Sequence, residues 1–251
     1  MIDVYTAMAL DGDSPVPLYF QIQSCLMRAI DNGTLMPGNR LPSERELAAK
    51  LAVNRNTVRQ AMSELVNEGL LTRKRGLGTF VARPKLEQGL SKLTSFTEDM
   101  RKRGFRPAAR LIALEVQGAD KKMAQSLRIG LGEAVIVIER LRLADEEPMA
   151  LEASHLPAGR FPAFLTLRTE VSQGSLYDIV RDRYNVTLCA AAETLEAKVA
   201  SAREAALLEI PSGMPVLLRE RVTFDQNGTP VEYVRSLYRS DRYKFMVEVG
   251  Q

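Results

Sequence analysis

The sequence of 251 residues contains no tryptophan, one histidine and two cysteines. Cys25 and Cys189 lie far apart and match no metal-ligand spacing, so we expect reduced thiols and a cytoplasmic protein. A single histidine excludes a histidine-rich metal site, and we expect no cofactor. No apolar run approaches the roughly 18–20 residues of a membrane span, and the first residues lack the features of a signal peptide. These absences argue against a membrane protein and against a secreted one.

An excess of positive charge is confined to the first third of the chain. Residues 1–85 hold 11 basic and 8 acidic side chains, whereas residues 86–251 hold 23 of each sign. Within residues 40–83 the ratio rises to 9 basic against 4 acidic. The length, with 45% hydrophobic and 26% charged residues, predicts one or two globular domains. A basic N-terminal region on a neutral body indicates an anionic polymer as a partner.

The basic region has the pattern of three helices followed by a hairpin. Ser43 and Glu46 form a capping box that starts a short helix, and stripes of apolar residues with helical spacing lie before and after it. The expected elements are a helix that ends at Asn32-Gly33, helices over about 44–52 and 55–68, and two short strands around a turn at 75–78. This order is typical of a winged helix-turn-helix domain, which we predict over residues 14–82, with a linker over 83–92.

The third helix leaves polar side chains exposed once its apolar face is buried. Arg55, Asn56 and Arg59 project near its N-terminal end, where guanidinium groups can bond to guanine edges in a major groove. Arg75 and Gly76 in the turn of the hairpin supply a cation for phosphates and a backbone that can approach DNA closely. From the residues alone, a packing or protein-contact module with a basic face is the alternative.

The remaining residues, 93–250, predict an α+β domain built on a mainly antiparallel sheet. Several segments alternate as strands do, and Asn227-Gly228 is a strong hairpin signal between the last two long ones. Helices are expected over about 120–128, 175–184 and 202–208.

One predicted strand of this domain, AVIVIERLRLA, places two arginines on the same face. Arg140 and Arg142 repel each other unless an anion lies between them, and their planar forks suit phosphate or carboxylate. In the next strand, Glu152 faces Arg140 if the loop Asp145–Glu147 has three residues, and lies on the opposite face if the loop has two. A solvated surface ladder is the alternative to an anion site.

The segment LPSERELAAKLAVNRNTVRQAMSELVNEGLLTRKRGLGTFV resembles the DNA-binding domain of the GntR family of bacterial transcription regulators. Its Pro-Ser-Glu-Arg, Thr-Val-Arg-Gln-Ala, Glu-Gly-Leu and Gly-Thr-Phe-Val blocks match in order and spacing. The resemblance implies base or backbone contacts by Arg45, Arg55 and Arg59, a phosphate contact by Thr57, and entry of Gly76 into the minor groove. It also implies a homodimer on palindromic double-stranded operator DNA.

Residues 93–250 resemble the UTRA effector domain of the HutC subfamily, which has a chorismate-lyase-like fold. The blocks LTSFTEDMRKRG, RLRLADEEPMALEASHLP, GSLYDIV and YRSDRYKF are similar, more narrowly, to repressors of N-acetylglucosamine utilisation. This implies release from the operator by a small anionic effector, glucosamine-6-phosphate or N-acetylglucosamine-6-phosphate. The resemblance places the phosphate against Phe96, Thr97, Arg140, Arg142, Ser175, Leu176 and Tyr177, and the sugar against Glu152, Glu232 and Tyr238.

Two other functions remain open. The same repressor class would serve another acid, such as a urocanate-like acid, a fatty acid or an alkylphosphonate. A lyase-like fold also raises the possibility of an enzyme. However, the sequence shows no pairing of a nucleophile with a base, and an attached DNA-binding domain has no role in such catalysis. We therefore expect a ligand-responsive transcription regulator and no catalysis.

Overall fold

The computed structural model describes residues 10–74 and 76–249, and the chain divides into two compact units, Met1–Lys85 and Leu86–Gln251. We call these the N-terminal unit and the C-terminal unit. Each one encloses its own hydrophobic core. Among the described residues, no helix is both long and apolar enough to cross a membrane.

The N-terminal unit contains the three predicted helices, α1 (Leu18–Asp31), α2 (Glu44–Leu51) and α3 (Arg55–Asn67). The capping box is present, because the Ser43 hydroxyl accepts from the Glu46 amide and the Glu46 carboxylate accepts from the Ser43 amide. Hydrogen bonds from the backbone and the side chain of Ser43 to the Glu46 carboxylate lower the pKa of Glu46. The helices bury one common core, formed by Ile22, Leu26, Leu47, Val58, Met62 and Leu65.

The predicted hairpin follows α3 as two antiparallel strands, β1 (Leu71–Lys74) and β2 (Gly78–Val81). Gly76 in the turn has φ +74°, a value that L side chains rarely adopt, and open space surrounds it. The requirement for glycine here is therefore conformational. A short β-hairpin after three helices is the wing of a winged helix-turn-helix domain.

Over residues 86–249, the C-terminal unit contains two sheets and five α-helices. Its strands are β3 (Leu86–Gly89), β4 (Pro107–Gly118), β5 (Ala134–Ala144), β6 (Glu147–Pro157), β7 (Leu188–Val199), β8 (Pro215–Asp225), β9 (Pro230–Arg239) and β10 (Tyr243–Met246). Its helices are α4 (Phe96–Lys102), α5 (Lys121–Leu127), α6 (Arg168–Gln173), α7 (Leu176–Tyr184) and α8 (Ala202–Leu208).

The main sheet has six antiparallel strands in the spatial order β4-β5-β6-β9-β8-β7. Helices α6 and α7 pack on the face that carries Ile136 and Ile138. Helix α8 packs against apolar side chains on the opposite face, including Leu141. The Asn227-Gly228 turn joins β8 to β9, as predicted.

The segment 83–92 is not the plain linker that its proline and glycine predict. It contains β3, which pairs in parallel with β10 near the end of the chain. Leu86 and Gln88 are buried on one face of β3, while Glu87 and Gly89 are exposed. The strand is only four residues long and its partner lies more than 150 residues away, so no local pattern marks it.

Two α-helices of the C-terminal unit were not predicted, α4 and α6. Helix α4 begins after Ser95, whose hydroxyl accepts a hydrogen bond from the Glu98 amide 3.1 Å away. This Ser-x-x-Glu spacing is a sequence signal for a helix start. Helix α6 follows two short 3₁₀ turns, Ala158–Arg160 and Phe164–Leu167.

The connection between β5 and β6 differs from the expected three-residue loop. The turn has two residues, Asp145 and Glu146, both with positive φ, as in the turns that close tight hairpins. A two-residue turn would place Glu152 away from Arg140, yet the two residues are paired. The register shifts between Arg142 and Leu143, so that Met149 is an extra residue on β6. This bulge restores the pairing that a longer loop would give.

Candidate nucleic-acid interface and effector pocket

The residues predicted to contact DNA lie on α2, at the start of α3 and on the wing. Arg45 is exposed on α2, and Arg55, Asn56 and Arg59 are exposed on the first turns of α3. Thr57 is half-buried beside them. The N-terminal end of α3 therefore presents guanidinium and amide groups of the kind that read base edges in a major groove.

The turn of the wing is exposed at Gly76, whereas Arg75 lies outside the described residues. Arg73, on the strand before the turn, donates to the Ser63 hydroxyl at 3.0 Å. Arg59 in turn contacts Ser63 through its carbonyl, which accepts from the hydroxyl at 2.7 Å. These bonds connect the wing to the helix that would enter the groove.

Sequence reasoning missed an acidic residue within this basic surface. Glu44, in the first turn of α2, lies 3.4 Å from the Arg55 Nε and 3.4 Å from an Arg73 Nη. The Glu44 side chain is largely buried while both arginines are more exposed. The carboxylate thus lies between two cations of the predicted DNA-binding surface.

All ten residues predicted for the effector line one cavity on the face of the main sheet covered by α4 and α7. The space between the lining side chains, counted with its open mouth, is about 490 Å³. The residues that line it are Gln88, Thr94, Ser95, Phe96, Thr97, Arg140, Arg142, Glu152, Ser175, Leu176, Tyr177, Arg219, Arg221, Glu232, Val234, Ser236 and Tyr238. We call this cavity the effector pocket.

Arg140 is buried at the floor of the effector pocket and forms an ion pair with Glu152 through Nη2. Its Nη1 lies 3.4 Å from the Val171 carbonyl and 3.5 Å from the Gly174 carbonyl, just before α7. Burial raises the pKa of the Glu152 carboxyl, but Arg140 and Arg142 outweigh burial and hold the pKa below its usual value. Glu152 is therefore a permanent anion between two buried cations.

Arg142 is equally buried and has a weaker set of partners. Its Nη2 donates to the Thr97 hydroxyl at 2.8 Å, its guanidinium lies 4.8 Å from the Phe96 ring centre, and Glu152 is 4.0 Å away. Burial and the adjacent Arg140 lower the pKa of Arg142 to about 10. The positive charge of Arg142 is therefore only partly compensated by its neighbours, and an anion that enters the pocket would stabilise it.

Ser175, Leu176 and Tyr177 form the opposite wall at the beginning of α7. The buried Ser175 hydroxyl accepts from the Asp178 amide at 3.3 Å and so caps the helix. Its own hydrogen remains available for donation, and the first amides of the helix point toward its N-terminal end, where anions are favoured. This wall and the two arginines of β5 face the same space.

Glu232 and Tyr238 both lie on β9 and both line the pocket. Burial and the nearby Glu152 raise the pKa of Glu232, whose Oε2 lies 3.4 Å from the Thr223 hydroxyl. Burial likewise raises the pKa of Tyr238. Glu232 therefore takes up a proton more readily than a solvent-exposed glutamate, and it presents a polar group to neutral or cationic ligand atoms.

A second pair of buried arginines, Arg219 and Arg221 on β8, also lines the pocket. Both bind the carboxylate of Glu193 on the edge strand β7. Sequence reasoning missed them, although the signal was the same as for Arg140 and Arg142. In PVLLRERVTF the arginines alternate, which places both on one face of a strand.

Within residues 10–74 and 76–249, no group of three or more His, Cys, Asp or Glu side chains could hold a metal ion.

Comparisons with known proteins match both units. The description "Bacterial regulatory proteins, gntR family" matches residues 18–81, and "UTRA domain" matches residues 102–244. The chain is 46% identical over 240 residues to the HTH-type transcriptional repressor NagR of Bacillus subtilis (strain 168), which covers 95% of this chain and 97% of NagR. It is 38% identical over 208 residues to the HTH-type transcriptional repressor PhnF of Mycolicibacterium smegmatis, with 83% of each chain covered.

A solved structure supports the same assignment. The crystal structure of PhnF from Mycobacterium smegmatis superimposes with a TM-score of 0.63 at 35% identity, and covers 91% of this chain and 99% of PhnF. These matches confirm the predicted fold class, a winged helix-turn-helix domain followed by a UTRA domain with a mainly antiparallel sheet. The GntR domain implies operator DNA as a partner, and the UTRA domain implies a small-molecule effector. The chain belongs to the gntR family of bacterial regulatory proteins, as a NagR-like transcriptional repressor with a UTRA effector domain and not as an enzyme.

Proposed function

We propose that this repressor acts in the cytoplasm as a homodimer on a palindromic operator of amino-sugar utilisation genes. An amino-sugar 6-phosphate, glucosamine-6-phosphate or N-acetylglucosamine-6-phosphate, occupies the effector pocket and releases the protein from DNA. The observation that carries this proposal is the pair Arg140 and Arg142, buried side by side in a pocket that also offers two hydroxyls and a helix N-terminus.

The charge balance of the pocket favours a dianion. Four buried guanidinium groups line it, and the carboxylates that face them belong to Glu152, Glu193 and Glu232. Three carboxylates face four guanidinium groups, so the compensation of positive charge is incomplete. A phosphate with close to two negative charges supplies the missing compensation, and charge-assisted hydrogen bonds strengthen in a site that excludes water.

The polar groups at one end of the pocket have the geometry of a phosphate site. Arg142 and Thr97 lie on one side, and Ser175 with the first amides of α7 lies on the other. Guanidinium forks, hydroxyls and helix-terminal amides are the donors that phosphate groups use in proteins. Phosphate bound there would relieve the repulsion between Arg140 and Arg142.

The acidic and aromatic groups of the pocket suit the sugar. Glu152 and Glu232 accept hydrogen bonds from hydroxyl or amino groups, and Tyr238 provides a flat ring with a hydroxyl that accepts from Arg219 at 3.4 Å. These groups lie on adjacent strands, β6 and β9, and share one face of the sheet. A ligand with an anionic end and a polyhydroxylated end matches both parts of the site.

The DNA-binding part of the proposal requires two copies of the chain. One recognition helix contacts few base pairs, and a two-fold dimer that reads two half-sites gains affinity and specificity. The predicted contacts are Arg45, Arg55, Asn56, Thr57, Arg59, Arg75 and Gly76.

Calorimetry tests the effector assignment. Wild type, Arg140→Ala and Arg203→Ala are titrated with glucosamine-6-phosphate, N-acetylglucosamine-6-phosphate and the two free sugars. Arg203 is an exposed arginine of the same unit that bonds to Glu139, so it controls for loss of positive charge. We expect tight binding of one 6-phosphate, far weaker binding of its free sugar, and loss of binding only in Arg140→Ala.

The same proteins are then assayed for release from an operator selected from a random duplex pool. We expect Arg140→Ala to bind the operator normally and to remain bound when the 6-phosphate is added. Equal affinity for the free sugar and its phosphate, or release of the Arg140→Ala variant, would show that the pocket assignment is wrong. If a different acid binds and neither sugar phosphate does, the protein is still a repressor, but its effector is that acid.

A further inference from the structure

Arg221 occupies a position in the effector pocket that none of the predicted roles explains. Its side chain is 7% exposed, and its Nε donates to the Glu193 carboxylate. Its Nη1 lies 2.9 Å from the Tyr177 hydroxyl and 3.3 Å from the Thr94 carbonyl. One guanidinium group therefore connects the edge strand β7, the helix α7 and the chain segment before α4.

Through Thr94, Arg221 contacts the chain segment that connects α4 to the N-terminal unit. It precedes Ser95, the N-cap of α4, and the next residues, Phe96 and Thr97, line the pocket and contact Arg142. In the other direction, eight residues separate Thr94 from Lys85, the last residue of the N-terminal unit. The chain between these two residues contains β3, which pairs with β10.

Arg221 also belongs to a network that surrounds the pocket. The Tyr177 hydroxyl lies 3.2 Å from the Thr223 hydroxyl, which reaches Glu232 at 3.4 Å. On the other side, Glu193 binds Arg219, and Arg219 donates to Tyr238. Tyr177, Glu232 and Tyr238 are all proposed effector contacts, so a ligand that engages any of them acts on the network that holds Arg221.

We propose that Arg221 is a positioning residue that couples occupancy of the effector pocket to the position of Thr94, and through it to operator binding. The proposal rests on the proposed function for the identity of the effector, although the position of Arg221 does not. Nη1 is shared between the Tyr177 hydroxyl and the Thr94 carbonyl. An anion bound beside Tyr177 attracts the guanidinium group, and the weak 3.3 Å bond to Thr94 is the one that is lost.

Arginine is required for this role because of its shape. Glu193 fixes the plane of the guanidinium group through Nε, which leaves Nη1 directed at two acceptors. A lysine at this position keeps the charge but offers a single nitrogen on a flexible stem, which cannot serve three partners in fixed directions.

The test compares Arg221→Lys with wild type and one control variant in the full-length protein without any ligand. Arg203→Lys makes the same change at an exposed arginine of the same unit. Urea denaturation of the three proteins measures whether each variant keeps the wild-type free energy of unfolding. The readouts are hydrogen exchange of peptides that cover residues 90–100 and affinity for the selected operator.

We expect Arg221→Lys to exchange faster over residues 90–100 and to bind the operator about fivefold or more weakly, at the lower end of usual allosteric coupling. Arg203→Lys should match wild type in both measurements, and Arg221→Lys should keep the wild-type free energy of unfolding. A large loss of unfolding free energy in Arg221→Lys would instead assign its weaker operator binding to a general loss of pocket integrity and would contradict the positioning role. Operator affinity of Arg221→Lys equal to that of wild type would overturn the proposal.

A second arm measures release of each protein by glucosamine-6-phosphate. We expect the additional release of Arg221→Lys to be smaller than that of wild type, because part of the change has already occurred. If wild type is not released by the sugar phosphate, the proposed effector is wrong, whereas the ligand-free comparison still decides the role of Arg221.

Discussion

Arg140 and Glu152 are cross-strand partners on β5 and β6 because a bulge at Met149 corrects the register of a two-residue turn. Without the extra residue, the side chain of Glu152 would point to the other face of the sheet. Arg140 and Arg142 would then lie side by side with no carboxylate between them. A local irregularity in one strand therefore makes two adjacent buried arginines compatible with a stable, ligand-free pocket.

Replacement of Glu152 tests this compensation. In Glu152→Gln, two buried guanidinium groups lose their shared anion, and loss of one partner of a buried ion pair costs about 3–5 kcal/mol of unfolding free energy. Inorganic phosphate, which can take the place of the carboxylate, should restore more stability to the variant than to wild type. Urea denaturation at increasing phosphate concentration measures both effects. Equal stabilisation of the two proteins by phosphate would contradict the anion site.

Arg59→Ala probes the recognition helix. If the exposed guanidinium group of Arg59 forms a bidentate contact with a base, specific binding weakens by about 1–3 kcal/mol, while binding to scrambled DNA changes little. Arg28→Ala, which removes an exposed arginine of α1, is the matched control. Gel-shift titrations with operator and scrambled duplexes give the comparison. An equal loss on both DNAs would make Arg59 a phosphate contact.

We expect that removal of the negative charge of Glu44 increases the affinity for DNA. Glu44→Gln releases Arg55 and Arg73, each held by an exposed ion pair at 3.4 Å. Affinity for random-sequence duplex should rise about two- to fivefold, since such pairs are worth only a few tenths to one kcal/mol. The salt dependence should steepen, because each additional phosphate contact releases counterions. Glu64→Gln removes the same charge from an exposed position of α3. An equal gain in DNA affinity in this variant would show that the gain comes from the net charge and not from the release of Arg55 and Arg73.

The single histidine predicts a pH-dependent stability. His155 is buried, stacks on Tyr233 and has its Nδ1 3.0 Å from the Tyr233 carbonyl, and burial lowers its pKa below the ordinary 6.5. Protons therefore bind the unfolded chain more readily, and the free energy of unfolding falls as the pH drops below about 6.5, by at most about 1.4 kcal/mol per pH unit.

In His155→Asn, the amide group can still donate a hydrogen bond to the Tyr233 carbonyl. Because asparagine does not titrate, the unfolding free energy of this variant should depend less on pH than that of wild type. Chemical denaturation between pH 7.5 and 5.5 compares the two proteins. Because the sequence has one histidine, its ring proton also gives a single NMR titration curve, with an expected midpoint below 6.5. A midpoint above 6.5 would reverse the sign of the effect.

Features set by neighbouring residues were predictable from the sequence. The capping box at Ser43 and Glu46, the Asn227-Gly228 hairpin and the helix after Ser175 each depend on a few adjacent positions, and the structure contains all three. Helix α4 has a comparable signal at Ser95 and Glu98 and was overlooked, because its first residues were considered only as ligand contacts.

Features that depend on distant residues were not predictable in this way. The strand β3 exists because β10 lies beside it, and the bulge at Met149 satisfies the packing of both faces of β6. The roles of Arg219 and Arg221 depend on Glu193, a residue of another strand that no spacing connects to them. Alternation alone shows which face of a strand a residue occupies, and gives no information about what covers that face.

The parallel pairing of β3 with β10 joins the first strand of the C-terminal unit to its last strand. The Leu86 amide donates to the Arg242 carbonyl at 2.7 Å, and the Leu90 amide donates to the Met246 carbonyl at 3.1 Å. Truncation after Arg239 would leave a row of unsatisfied backbone groups where the polypeptide enters this unit from the linker. An affinity tag or reporter is therefore better attached at the amino terminus, since a bulky carboxy-terminal fusion would follow β10 closely in the sequence and could disturb its pairing with β3.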